Sequence, residues 1–246
     1  MKVACITDIG ERRENEDTIY IPENGAKPVY IVSDGMGGHQ AGATASRLAT
    51  AAVVEYVEQY KGDSIDEELK IATAYANARV IAASHSDKAY AGMGTTLSIV
   101  YIGDGKFYTA NVGDSRVYLY TGDELIQITR DHSYVAELVR AGEITAKQAR
   151  SHPQRNLITR AIGIKETEVA DIDISSWQRG DMILICSDGL YDGAEDETIF
   201  DILHNMNSET DEDLAHICQE LVYAAREGKS GDNISIILIK YEEGDE

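Results

Sequence analysis

Cysteine is scarce in this sequence of 246 residues, which contains only Cys5, Cys186 and Cys218. The three are far apart and form no C-x-x-C pair, so neither a disulfide framework nor a thiolate zinc site is expected. This scarcity favours a reducing compartment, and we therefore expect a cytoplasmic protein.

Basic residues and long apolar runs are also missing. Lys and Arg number 22 against 43 Asp and Glu, which gives a formal net charge of −21. Since no run of four Lys or Arg occurs, we expect no nucleic-acid partner and no association with an anionic membrane. No stretch approaches the roughly 18 apolar residues of a membrane-spanning helix, and residues 1–8 contain no signal-peptide core. Residues 243–246 are predicted to be an acidic tail.

Two periods of hydrophobicity alternate along the chain. Helical periodicity from about residue 40, interrupted at Asp63–Ser64, predicts a pair of neighbouring antiparallel helices, and a second pair is predicted over about residues 195–227. The four apolar runs between residues 94 and 129 are expected to form one antiparallel meander. The predicted strands are KVACIT, TIYIP, PVYIVSD, GTTLSIVYI, KFYTANV, RVYLY, LIQIT, EVADIDI, DMILICS and NISIILIKY.

The order of these segments indicates an α+β fold. Every amphipathic surface would be buried in a four-layer sandwich, in which two antiparallel β-sheets pack face to face with a helix pair on each outer side. No linker interrupts residues 1–242, so we predict a single domain there. The polar segment of about residues 131–155 carries two short helical patches and is predicted to be a flap.

Aspartates recur where predicted strands begin or end. Asp34 and Asp188 each follow an apolar run in a Ser-Asp-Gly sequence, Asp114 follows a third run, Asp232 precedes the last strand, and Asp17 lies where the first loop re-enters the sheet. An aspartate beside glycine is most often local turn chemistry, but strand ends that meet at one edge would gather four or five of these carboxylates. Such a cluster requires cations, because like charges at short distance raise one another's pKa.

The chemistry of the ligands indicates which cation. Carboxylate and carbonyl oxygens suit Mn²⁺ or Mg²⁺, and no His or Cys cluster favours zinc. Two such ions about 3.5–4 Å apart can activate water and stabilise displacement at phosphorus. Glycines 35, 37 and 38 would let the backbone approach the ions closely. The sequence therefore predicts metal-assisted hydrolysis of a phosphate ester, and Arg12 and Arg13 are the candidate phosphate ligands. Without further context, the favoured interpretation of both is as surface charges that balance Glu11, Glu14 and Glu16.

Seven motifs, in order, resemble those of the metal-dependent protein phosphatases of type 2C, especially the compact bacterial serine/threonine members. They extend over nearly the whole chain, which makes the resemblance specific. The motifs are DIGERRENED, VSDGMGGHQAG, GTTLSIV, ANVGDSRVYL, SHPQRNLITRAIG, LICSDGL and GDNISIILI.

The resemblance implies the same sandwich and a centre of two Mn²⁺ or Mg²⁺ ions. Asp34 would bridge the two ions, the Gly35 carbonyl would be a ligand, and Asp188 and Asp232 would supply the remaining direct carboxylates. Asp17 would act mainly through water. The implied reaction is attack of a metal-bridging hydroxide on phosphoserine or phosphothreonine.

Two further features follow from the family pattern. Bacterial members often bind a third, weaker ion, for which Asp114 and Asp188 occupy the matching positions. Some animal members carry a candidate general-acid histidine directly after D-G, but Met36 stands there in this chain. His39 is near and is expected to be structural, so the general acid stays unassigned.

The position of the phosphate-binding arginine is ambiguous. The pattern of the bacterial members is G-x-x-R-x-x-N-x-D, and the spacing from Gly10 to Asn15 is one residue short here. Counting back from Asp17 selects Arg12, whereas counting forward from Gly10 selects Arg13. We prefer Arg12, because its distance from the carboxylate of the metal site should be the constrained one.

Other phosphoryl-transfer chemistries fail on inspection of the sequence. A cysteine-dependent phosphatase needs Arg six residues after the nucleophile, but Glu11, Asp192 and Ala224 stand at those positions. The G-K-S at 228–230 lacks the first glycine of a P-loop, since Tyr223 stands there.

The resemblance implies phosphorylated proteins as substrates, among them a Ser/Thr kinase and its targets, and we expect a monomer. One alternative is a phosphatase of an anti-sigma-factor antagonist, although such proteins usually carry a fused sensory or membrane segment. A second alternative is a phosphatase-like binding module with weak catalysis. A degenerate module should lack a metal aspartate, and all are present here.

Overall fold

Twelve strands and seven α-helices occur in the part of the chain that the computed structural model describes, residues 1–37 and 40–242. His39 and the acidic tail predicted at 243–246 lie outside it. The strands are β1 (Lys2–Asp8), β2 (Thr18–Tyr20), β3 (Val29–Ser33), β4 (Gly35–Met36), β5 (Gly94–Thr95), β6 (Leu97–Gly103), β7 (Lys106–Val112), β8 (Arg116–Tyr120), β9 (Leu125–Gln127), β10 (Asp171–Ser176), β11 (Met182–Cys186) and β12 (Ile234–Lys240). The helices are α1 (Gln40–Gln59), α2 (Ile65–Ser86), α3 (Tyr134–Arg140), α4 (Ala146–Arg150), α5 (Asp188–Gly193), α6 (Asp196–Asn205) and α7 (Asp211–Glu227).

Ten of these strands form two five-stranded sheets, and every pair is antiparallel. The strand orders are β1-β12-β11-β8-β9 and β10-β7-β6-β3-β2, while β4 and β5 form a separate two-stranded sheet. The central strand β11 is buried along its whole length, because both faces of its sheet are covered.

Alternating side chains of each sheet supply separate apolar cores. Ile183 and Ile185 of β11 point to a core between the two sheets, whereas Leu184 and Cys186 contact a core with α5, α6 and α7. A third core packs α1 and α2 against the second sheet. The described elements therefore form the four layers that the sequence predicts, with the short α5 added to one outer layer.

Helix ends follow recognisable local signals. Ser64 caps α2 by accepting a hydrogen bond from the Glu67 N–H, as the Asp63–Ser64 break predicts. Thr210 and Asp213 form a reciprocal capping box at the start of α7.

The predicted meander is wrong at one corner. The hairpins β6–β7 and β8–β9 form as expected, but β7 and β8 belong to different sheets. The chain crosses between the sheets at Gly113. Its φ of +109° favours glycine, and a Cβ on any other residue at this position would lie 2.6 Å from the Thr96 side chain. The crossing carries the next residue, Asp114, to the end of the sandwich.

Candidate metal centre

Five aspartates meet at one end of the sandwich. Antiparallel pairing places the end of β3 beside the start of β2, and the end of β11 beside the start of β12. The pairing of β6 with β3 and with β7 brings the end of β7 to the same edge. The residues carried by these strand ends are Asp17, Asp34, Asp114, Asp188 and Asp232.

Their mutual repulsion appears in their pKa values. Burial, and then the charges of Asp17, Asp188, Asp114 and Asp232, raise the pKa of Asp34 well above its usual value. Burial and three of the same charges do so for Asp188. The five carboxylates are thus close enough to perturb one another, as their predicted clustering requires.

Two members have pKa values near neutrality. Burial raises the pKa of Asp114 to about 7, with the charge of Asp131 as the next cause. Burial raises the pKa of Asp17 to about 6, opposed by hydrogen bonds from Ser235 and Ser187. Such shifts mark groups that would hold their negative charge readily only beside a positive one.

Unsatisfied oxygens show that the cluster fits a cation. Asp17, Asp114 and Asp188 each have one buried carboxylate oxygen without a hydrogen-bond partner. Native proteins leave few such atoms unpaired, because desolvation without compensation is costly. These hard oxygen donors suit a divalent cation such as Mn²⁺ or Mg²⁺.

Protein donors engage the other oxygens of the cluster. The Ser187 hydroxyl donates to Asp17 at 2.8 Å, and the Arg12 guanidinium donates to Asp232. Within the described residues no three His, Cys, Asp or Glu side chains already converge as ligands of one ion. The carboxylates are thus gathered at one edge, and Asp17 accepts from Ser187 through one oxygen while its other oxygen stays without a partner.

Asp34 is fixed through its backbone. Its N–H donates to the Thr96 hydroxyl at 2.8 Å, and its carbonyl accepts from the Thr96 N–H and the Thr95 hydroxyl, also at 2.8 Å. Thr96 in turn shares a 2.7 Å hydrogen bond with Ser115. The T-T of GTTLSIV therefore holds Asp34, a role that the motif did not reveal in the sequence.

Gly35 permits a close approach of three segments. A Cβ there would lie 2.2 Å from the Gly42 carbonyl oxygen in α1 and 2.6 Å from that of Glu16. The Gly35 N–H also donates to the Glu16 carbonyl. Only glycine fits at this position, because the backbone of α1 and of residue 16 packs directly against it.

The arginine loop is fastened to the strand that carries Asp232. The Asn233 amide donates to the carbonyls of Ile9 and Glu14 and accepts from the Glu16 N–H. This places the Arg12 guanidinium on Asp232.

Arg13 behaves differently from its neighbour. It is exposed and forms no ion pair with any described residue. Of the two candidate phosphate ligands, the structure thus brings Arg12 to the cluster.

The buried ion pair of Arg116 and Asp131 is linked to Asp114 through Tyr191. Arg116 makes three hydrogen bonds to Asp131, at 2.7–3.1 Å, and lies 3.6 Å from the centre of the Tyr191 ring. The Tyr191 hydroxyl donates to the Asp114 carbonyl at 2.9 Å. Arg116 lies in a recognised motif and Tyr191 directly follows one, whereas Asp131 belongs to the start of the predicted flap. Their contacts join segments distant in sequence and could not be read from it.

His132, at the start of the flap, is hydrogen-bonded to Gly113, the residue before Asp114. Its Nδ1 accepts from the Gly113 N–H at 3.0 Å, and its own N–H donates to the Gly113 carbonyl at 2.9 Å. Its Nε2 lies 3.1 Å from Asp171. Since Thr159 also bonds to the His132 carbonyl, both ends of the flap are fixed beside Asp114.

No helix in the described ranges is both long and apolar enough to cross a membrane.

Comparison with known proteins agrees with this geometry. A family model described as Protein phosphatase 2C matches residues 8–222. The chain is 36% identical over 251 residues to protein phosphatase PhpP of Streptococcus pneumoniae, covering 100% of this chain and 99% of that protein. The chain belongs to the protein phosphatase 2C family.

Solved structures show the same fold. The crystal structure of the serine/threonine phosphatase PstP/Ppp of Mycobacterium tuberculosis superimposes with a TM-score of 0.87 at 35% identity, covering 98% of this chain and 99% of that one. A structure of the catalytic domain of PstP in complex with two manganese ions gives a TM-score of 0.85 at 32% identity, with 98% of each chain covered.

Proposed function

We propose that this chain is a Mn²⁺- or Mg²⁺-dependent protein phosphatase that hydrolyses phosphoserine and phosphothreonine. The observation that carries the proposal is the set of buried aspartates with unpartnered oxygens at one end of the sandwich. The family assignment and the manganese-bound relative support the same conclusion.

Each member of the cluster is assigned a role in holding the cations. Asp34 would bridge two ions, with Gly35, Asp188 and Asp232 as further direct ligands and Asp17 acting through water. A third ion would lie at Asp114 with Asp188. When bound, the cations supply Lewis acidity, which lowers the pKa of water and neutralises charge on the phosphate.

The protein's own residues orient the substrate. The Arg12 side chain is 58% exposed and can leave Asp232 for a phosphate, which a guanidinium binds through two oxygens. Asn233 holds the loop that positions it. Asp114 is 4% exposed, and shielding from bulk water strengthens the electrostatic contacts made around it.

We further propose that the substrates include a Ser/Thr kinase and its targets, and that the protein acts as a monomer in the cytoplasm. Intact metal aspartates favour an active enzyme over a binding module without catalysis.

The test compares Asp34→Asn with Asp123→Asn, a matched change at an exposed turn. Wild type and Asp123→Asn should hydrolyse p-nitrophenyl phosphate with Mn²⁺ and lose activity in excess EDTA. Asp34→Asn should remain folded by circular dichroism and lose at least about 100-fold in kcat, as expected for a group that organises charge in the transition state. Undiminished turnover of Asp34→Asn, or wild-type turnover in EDTA, would refute the proposal.

A further inference from the structure

Positive charge is concentrated in one segment of this acidic chain. Residues 130–160 contain six Lys or Arg and three Asp or Glu, a net charge of +3 in a chain whose total is −21. All other residues together therefore carry −24. A phosphoprotein, which is itself anionic, is repelled by most of this surface and attracted to the segment that includes the flap.

Part of the segment's charge is neutralised inside the protein. Asp131 is buried against Arg116, and Arg160 pairs with Glu168 and Asp171. The basic side chains that remain exposed are Arg130, Arg140, Lys147, Arg150 and Arg155.

Three of these exposed residues, Lys147, Arg150 and Arg155, form what we call the basic flap surface. Arg150 donates to the Tyr191 carbonyl at 2.8 Å, and the Arg155 guanidinium lies 3.8 Å from the Asp192 carboxylate. Both partners belong to α5, the helix whose first residue is Asp188. The basic flap surface is therefore connected directly to the element that carries a metal ligand.

This proximity has an electrostatic consequence for Asp192. Burial raises the pKa of Asp192, the charges of Arg155, Arg116 and Arg150 oppose that shift, and the charge of Asp232 adds to it. The flap cations and the metal centre thus act on the same carboxylate.

A groove beside α4 offers room for a peptide. It has a volume of about 510 Å³. Among the described residues that line it, Glu195 is the only acidic one and lies 3.9 Å from Arg150. Lys147 forms no ion pair with any described residue and is free to bind an incoming anion. The lining residues are Thr145, Lys147, Gln148, Arg150, Ser151 and Glu195.

We infer that this groove and the basic flap surface bind an Asp- or Glu-rich segment of the substrate next to the phosphorylated residue, so that the enzyme selects phosphosites with acidic flanks. The inference rests on the proposed function and adds a substrate class to it. Carboxylates are the matching chemistry for cations that lie exposed in the rim of a site.

The test uses phosphopeptides with one phosphothreonine and flanks that carry three Glu, three Gln or three Lys. With wild-type protein and Mn²⁺, kcat/KM should fall from the Glu to the Gln to the Lys peptide, by about three- to ten-fold overall at low salt. At about 0.5 M salt the differences should shrink to less than about two-fold, since screening acts on exposed charges.

Charge-reversal variants test whether the basic flap surface causes the preference for acidic flanks. Lys147→Glu should abolish or reverse the ratio of kcat/KM between Glu and Lys peptides. Lys106→Glu makes the same change of charge at an exposed position in the β6–β7 hairpin, remote from the flap, and should retain the wild-type ratio. Equal kcat/KM for all three peptides, or a ratio that Lys147→Glu leaves unchanged, would overturn the inference.

The outcome that would overturn the preference for acidic flanks differs from the outcome that would refute the proposed function. If only the inference is wrong, wild type still hydrolyses all three peptides and p-nitrophenyl phosphate with Mn²⁺. If the proposed function is wrong, none of these substrates is hydrolysed.

Discussion

Arg12 and Arg13 are neighbours in sequence with different surroundings in the structure. Gly10, with a φ of +58°, turns the chain so tightly that a Cβ there would lie 2.0 Å from the Asp232 carbonyl oxygen. The turn directs Arg12 to Asp232. The sequence did not show which arginine faces the cluster, because the motif is one residue short. The conformation of the loop depends on contacts with Asp232, which lies 220 residues after Arg12.

Alanine substitutions distinguish the two side chains. Arg12→Ala should raise KM for a phosphothreonine peptide about ten-fold or more, since a charge-assisted hydrogen bond contributes about 1.5–3 kcal/mol. Arg13→Ala should change KM by less than about two-fold. Steady-state kinetics with Mn²⁺ measures both, and the opposite order would assign the phosphate to Arg13.

At the scale of elements, the arginine loop depends on a residue that precedes β12. Asn233 is 4% exposed and satisfies one N–H and two carbonyls of the segment 9–16. Its functional importance was not visible in the sequence, where GDN reads as the start of a strand.

Asn233→Ala should therefore loosen the loop more than it disrupts the core. We expect a loss of about 1–3 kcal/mol in the free energy of unfolding, because the substitution leaves polar groups without their partners. Asn233→Ala should also raise KM for the phosphothreonine peptide, as Arg12→Ala does. Asn205→Ala removes a hydrogen bond at the exposed end of α6 and should leave KM unchanged; a similar KM for both variants would exclude the positioning role.

Most strands and helices could be predicted, because apolar period and turn residues are local properties. The crossing at Gly113 and the helix α5 could not. The apolar pattern of β7 and β8 is the same whether they pair or diverge, and α5 is only six residues long. Both features arise from packing: Gly113 fits against Thr96, and Gly189 of α5 fits against the Asn233 carbonyl.

The whole molecule joins two sheets so that five acidic strand ends share one edge. The sequence indicated the five residues and their clustering, since each follows or precedes an apolar run. It could not show that the Arg116–Asp131 pair and the base of the flap would lie beside Asp114, because these contacts come from tertiary structure.

This concentration of charge makes the stability of the metal-free protein depend on pH. The folded pKa values of about 6 for Asp17 and about 7 for Asp114 exceed the roughly 3.9 of an unfolded aspartate. The folded state therefore binds protons that the unfolded state releases, and its stability is full below about pH 4 and falls as pH rises through about 6–7.

Thermal unfolding in EDTA should thus give a lower Tm at about pH 8 than at about pH 5. Asp114→Asn should reduce the difference, since the amide carries no titratable proton. A Tm that is equal or higher at the upper pH, or an unchanged difference in Asp114→Asn, would contradict the electrostatic account.

The central claim is that the gathered carboxylates hold at least two divalent cations, and equilibrium dialysis against Mn²⁺ at about pH 7.5, where metal competes well with protons, tests it most directly. The account predicts two or more Mn²⁺ bound per wild-type chain and at least one fewer for Asp34→Asn, with both proteins folded by circular dichroism. Wild-type protein that binds no Mn²⁺, or Asp34→Asn that binds as many ions as wild type, would contradict it.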